Sequence, residues 1–63
     1  MDRKTLAARL RQLQAVDMNA QAIYTDLARL EQDPVRRKVF SGIAGDEKRH
    51  LALGKELIAL LEK

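Results

Sequence analysis

The chain has no cysteine and no tryptophan, one proline, three glycines, and only Tyr24 and Phe40 as aromatics in 63 residues. The absence of cysteine excludes disulfides, thiolate metal sites and cysteine nucleophiles. A chain below ~70 residues rarely holds together on its own core and needs a disulfide, a metal or a partner. Metal and oligomerisation are the two devices left. So few aromatics give no stacking platform for single-stranded nucleic acid. Long apolar runs are also missing. The longest, Leu57 to Leu61, falls far short of the ~20 residues that span a bilayer. The opening Met1-Asp2-Arg3-Lys4-Thr5 leads into an amphipathic stretch, not the apolar segment of a secretory signal. On these grounds the chain reads as soluble and cytoplasmic, with no membrane partner.

Leu and Ala dominate what is present, which favours helix over sheet. Twelve Lys and Arg against nine Asp and Glu give a mild formal charge of +3. The basic cluster Arg36, Arg37, Lys38 reads as a solvated helix face rather than a phosphate contact, so nucleic acid is not an expected partner. The one strong punctuation is Asp33-Pro34. Asp is a good N-cap, Pro suits the first helical position, and the residue before Pro is pushed out of the α region. The spacing predicts an all-α chain, residues 1–63 forming one antiparallel two-helix hairpin. Helix 1 covers about 3–31, the turn 32–33, and helix 2 about 34–62, each helix roughly 40 Å long. Gly42, Gly45 and Gly54 weaken helix 2, but its pattern reads as continuous.

Helix 1 carries an apolar seam at Leu6, Leu10, Leu13, Asp17, Ala20, Tyr24 and Leu27, flanked by Val16, Ile23 and Leu30. Helix 2 carries Phe40, Ile43, Glu47, His50, Gly54, Leu57 and Leu61, with flanking rows on both sides. A two-stranded seam needs only one narrow stripe. The extra rows are those of helices inside a bundle. One hairpin cannot cover them, and a twofold dimer forming a four-helix bundle is the commonest solution.

Three polar residues interrupt the seams: Asp17, Glu47 and His50. Glu47 and His50 are one turn apart on one helix face. Counting back from a turn between Gln32 and Asp33 puts Asp17 at their level. Burying two carboxylates and an imidazole together is costly unless something compensates. No Lys or Arg interrupts either seam there, so a cation is the natural compensation. Oxygen and imidazole ligands without thiolate suit iron, manganese or zinc. A twofold dimer doubles the set to four carboxylates and two histidines, the inventory of a di-iron carboxylate bundle. By spacing, Asp46 lies one turn before His50 and could hold its other ring nitrogen, while Gln21, one turn after Asp17, could bond its carboxylate; the other reading of both is a solvated side chain.

The pattern of Asp17, then Tyr24, then Glu47-Lys48-Arg49-His50 resembles the ferritin-like superfamily. It is most similar to the half-length members, the rubrerythrin-related domains and encapsulated ferritins, which build a whole site from two hairpins. Ala22-Ile23-Tyr24, Leu27-Ala28 and Ile43-Ala44 share in the resemblance, which covers about Ala15 to Leu61. Asp17 departs from it, standing where the family usually has Glu. The resemblance implies a terminal ligand at Asp17, a bridging carboxylate at Glu47, a nitrogen ligand at His50 and a near-site tyrosine at Tyr24. It implies two iron ions per dimer and ferroxidase-type chemistry: iron oxidation, oxygen or peroxide handling, or iron storage in a larger even assembly. Two other functions compete. One is a non-enzymatic dimerisation module whose polar layer only sets register. The other is a basic adaptor using Arg36, Arg37, Lys38 and the Arg3 to Arg11 stretch. Nucleophilic catalysis has no support, since neither Ser41 nor a threonine sits at His spacing in the seam.

Overall fold

The caps decide where the helices begin. The computed structural model describes Met1 to Lys63 and contains two helices, α1 (Arg3–Leu30) and α2 (Pro34–Leu61), and no strand. Asp2 caps α1, its carboxylate accepting from the Thr5 N–H at 2.8 Å. Asp33 caps α2 in the same way, accepting from the Arg36 N–H at 2.9 Å, with Pro34 at the first helical position. Each capping carboxylate satisfies one amide that the helix itself cannot. Both helices stop one residue before the ends expected from sequence. Glu31 has moved to extended φ and ψ of −75° and 128°, although its N–H still donates to the Leu27 carbonyl. The turn is held by that same residue. The Glu31 carboxylate accepts from the Asp33 N–H at 3.1 Å and meets the Arg36 guanidinium at 3.3 Å. Its carbonyl accepts from Arg37 at 2.7 and 2.9 Å. Two cations of the basic cluster are therefore engaged in the turn.

The helices run antiparallel along a body of 46 × 14 × 14 Å. Tyr24 against Phe40 and Gln14 against Leu51 fix the register. The row of α1 turned toward α2 is Ala7, Leu10, Gln14, Asp17, Gln21, Tyr24 and Ala28. Its counterpart on α2 is Phe40, Ala44, Glu47, Leu51, Gly54, Ile58 and Leu61. The seams drawn from sequence lie partly outside the contact between the two helices. Leu6, Leu13, Leu27, His50 and Leu57 are exposed in the hairpin. The apolar stripe is three rows wide, and only one edge of it meets the other helix.

Helix α2 passes through Ser41-Gly42 without a break. Gly54 is buried because the Gln14 amide lies across it, and a Cβ there would fall 2.7 Å from the Gln14 Cδ. Gln14 Nε2 also donates to the Leu51 carbonyl at 3.0 Å, tying the helices near their middle.

Ala7 is the only buried apolar side chain. The Cα radius of gyration is 14.5 Å, against roughly 11 Å for a compact chain of this length. The accessible surface is 5091 Å², against roughly 4,100 Å² for a folded monomer of this mass. The chain thus exposes about 1,000 Å² more than a compact chain of its mass. Leu6, Leu13, Val16, Ile23, Leu27 and Leu30 of α1 and Val39, Leu53, Leu57 and Leu60 of α2 are all exposed. Helical spacing puts them on the same face of the hairpin. No helix is long and apolar enough to cross a membrane.

Candidate metal centre

Asp17 and Glu47 each sit at the midpoint of a helix, on the rows that face each other. Both are half-buried. Glu47 Oε2 is withdrawn from solvent and has no hydrogen-bond partner. The chain's ion pairs are Arg11–Glu62, Arg29–Asp26, Arg36–Glu31 and Arg49–Asp46, so none reaches this carboxylate pair. Burial pushes the Glu47 carboxyl above its ordinary range, and the adjoining Asp17 carboxylate pushes it further. The nearby His50 pulls the other way, and Asp46 adds a smaller push. Two anions side by side, one with an orphaned oxygen, form a place where positive charge is missing.

His50 lies at the same level but on the next row of α2, exposed on the open apolar face. It does not lie between the two helices of the hairpin. His50 and Asp17 instead line one groove of about 370 Å³, whose walls include Leu10, Leu13, Leu53 and Leu57. Within one chain, no three His, Asp or Glu side chains converge to hold a metal ion. Asp17, Glu47 and His50 lie along an edge of the hairpin that opens outward.

Tyr24 is half-buried and packs on Phe40 with ring centroids 6.3 Å apart and planes tilted by 39°. It lies two turns from Asp17, roughly 10 Å along α1. Asp46 is exposed and pairs with Arg49, not with His50 of its own chain. The preference is local, since a guanidinium one turn ahead on the same helix is within easy reach. Gln21 is half-buried on the α2-facing row, and its carbonyl accepts from Thr25 Oγ1 at 2.7 Å. Its side chain makes no bond to Asp17. Gln14 fills the structural role that sequence reasoning missed, bridging the helices one turn before Asp17. The signal was its heptad spacing with Ala7, Gln21 and Ala28, a row passed over because it is short of large apolar residues.

The donor set fits a hard or borderline cation. It comprises two carboxylates, one with an unsatisfied oxygen, and an imidazole at the same level without a thiolate. Comparison with family models, curated proteins and solved structures returns no match to this chain.

Proposed function

We propose that this chain is half of a ferritin-like four-helix bundle, a homodimer that completes a two-metal carboxylate site between its hairpins. The observation that carries this reading is the solvent-shielded, unpartnered Glu47 oxygen beside Asp17. The uncovered apolar face supports the second chain, and the midpoint position of the polar layer supports twofold pairing. A copy turned end for end brings polar layer onto polar layer only if that layer is central. The two chains together would offer four carboxylates and two histidines.

Asp17, Glu47 and His50 would hold the metal. Iron is the proposed occupant, two ions per dimer, with manganese or zinc accepted by the same donors. Iron bound with an open position would supply electron transfer to oxygen or peroxide. The chain's own contribution is positional. The helix midpoints fix the ligands, Tyr24 and Phe40 close the turn side of the layer, and the leucines of the apolar face exclude water once a partner covers them.

The test is iron per chain measured alongside circular dichroism. Glu47→Ala and His50→Ala should each lose most of the metal and keep their helix, since each removes a costly polar group from the bundle. Asp17→Ala should weaken binding. Asp17→Glu should retain it. If Glu47→Ala and His50→Ala bind iron as the parent does, the ligands are wrong. A dimerisation module with a purely structural polar layer is the second reading, favoured by the lack of three converging ligands within one chain. It expects no metal and the same dimer.

A further inference from the structure

Folding regroups cations that are far apart in sequence. Arg36 and Arg37 are taken up by Glu31 in the turn, and Arg9 lies on the side of Val16 and Leu27, with the open apolar face. The side of the hairpin turned away from that face collects a different set. On α1, Lys4 and Arg11 stand there, followed at the same seven-residue spacing by Met18 and Thr25. On α2 the row is Ser41, Lys48, Lys55 and Glu62. The register that sets Tyr24 against Phe40 and Gln14 against Leu51 brings Arg11 level with Lys55, and Met18 level with Lys48. Lys4, Lys48 and Lys55 have no salt-bridge partner. Glu62, bonded to Arg11, is the one carboxylate in the two rows. Asp17, Asp46 and Glu47, the acids of the chain's middle, all lie off this side.

At the end that carries the termini, the rows border a groove of about 430 Å³, lined by Arg3, Lys4 and Arg11 together with Ala7, Leu61 and Glu62. Toward the middle the surface turns apolar. Met18 is 61% exposed there, and Leu51 beside it is half-buried. The result is a straight path with cations seven residues apart, or about 10 Å. That spacing selects the occupant. An amphipathic helix with a carboxylate at every seventh position repeats at the same distance, and its apolar side would meet Met18 and Leu51. A nucleic-acid duplex carries a phosphate every ~3.4 Å along each strand, winds away from a straight row and makes no use of Met18. A single strand needs stacking platforms, and both aromatics are on the rows between the helices.

We propose that this side of the hairpin is a docking surface for an acidic amphipathic helix of another protein, laid along the two rows with its carboxylates on Lys4, Arg11, Lys48 and Lys55. The surface depends neither on a metal nor on a second copy of the chain. It lies away from the open apolar face, so it stays accessible whether or not that face is covered.

The probe is a synthetic helix of about four heptads, with leucine and alanine on one side and glutamate on both flanks, labelled and titrated into the full chain. Binding should saturate and weaken as salt is added. Lys48→Glu combined with Lys55→Glu should lower the affinity at least about tenfold, and a peptide with lysine in place of glutamate should bind this variant better than it binds the parent. Lys38→Glu combined with Arg49→Glu makes the same change in net charge on the outward side of α2, and should leave the affinity within about twofold. Circular dichroism confirms the helix in each variant, since all four positions are exposed. A parent that does not bind the peptide saturably overturns the proposal. So does unchanged affinity in the Lys48, Lys55 variant, or an equal loss in the Lys38, Arg49 variant, which would mean attraction to overall charge and not to these rows. Duplex DNA that displaces the labelled peptide more effectively than unlabelled peptide does would overturn the choice of an acidic helix.

Discussion

Gly54→Ala should leave stability almost unchanged, although removing a mid-helix glycine ordinarily adds about 1 kcal/mol. The added methyl needs space that Gln14 occupies, since the new Cβ would lie 2.7 Å from the Gln14 Cδ. Gln14 has to swing away, which breaks its 3.0 Å bond to the Leu51 carbonyl. A neutral hydrogen bond contributes about 1 kcal/mol net, so gain and loss nearly cancel. In a Gln14→Ala background the methyl meets no obstruction, and the same glycine substitution should stabilise by the full ~1 kcal/mol. The coupling energy of the double-mutant cycle is therefore about 1 kcal/mol. For a domain of this size that corresponds to a Tm difference of roughly 4–8 °C. Urea unfolding followed by circular dichroism measures it, with all variants at one chain concentration because an oligomer's stability depends on concentration. Equal stabilisation by Gly54→Ala in both backgrounds would show that Gln14 does not lie across Gly54, and the register of the hairpin near its middle would need redrawing.

If a second copy covers the open apolar face, Ile23→Asp should abolish the dimer and reduce helicity. Ile23 is 50% exposed in the hairpin, so a dimer surviving in sedimentation equilibrium would place the interface elsewhere. Without metal, the raised Glu47 carboxyl favours folding at acid pH, and that contribution is lost as pH rises through its folded pKa. Asp2 and Glu31 are lowered by backbone N–H donors, so their contribution is present above the unfolded pKa and lost as pH falls through the folded one. Metal displaces the Glu47 proton, so zinc affinity should strengthen from mildly acid to neutral pH, and a flat profile would count against Glu47 as a ligand. Asp33→Ala removes the cap of α2 and should cost about 1 kcal/mol in urea unfolding. Saturating zinc at a hundred times its dissociation constant should add ~2.7 kcal/mol, and an unmoved melting curve would count against a site.

The hairpin was legible because its signals are local. Asp33-Pro34 fixes the start of α2 through a cap and a locked φ. Counting from that turn puts Asp17 level with Glu47, as the facing rows show. The direction of each row was not legible. Leu13 and Gln14 are adjacent in sequence, and both repeat with heptad spacing. The leucine looks like core, yet Gln14 is the one between the helices. Hydrophobic periodicity marks a stripe but does not say which edge meets the chain's own second helix and which awaits another molecule. His50 shows the difference. It shares the stripe with Glu47 but belongs to the outward edge. Spacing left Asp46 either a partner of His50 or a solvated side chain, and within the chain it is exposed and paired with Arg49.

Met1 and Lys63 lie at the same end of a body 46 Å long. In a dimer whose copies are turned end for end, the termini of the two copies would lie at opposite ends of the bundle. Joining two copies into one polypeptide therefore takes a connection that travels the length of the bundle, at least roughly 14 residues if fully extended. A short linker would enforce the wrong pairing or string chains into open arrays. A single-chain version designed with a long crossover should fold without dependence on concentration. It would also let each half of the site be altered separately, so that one Asp17 or one His50 could be changed while its symmetry mate is kept.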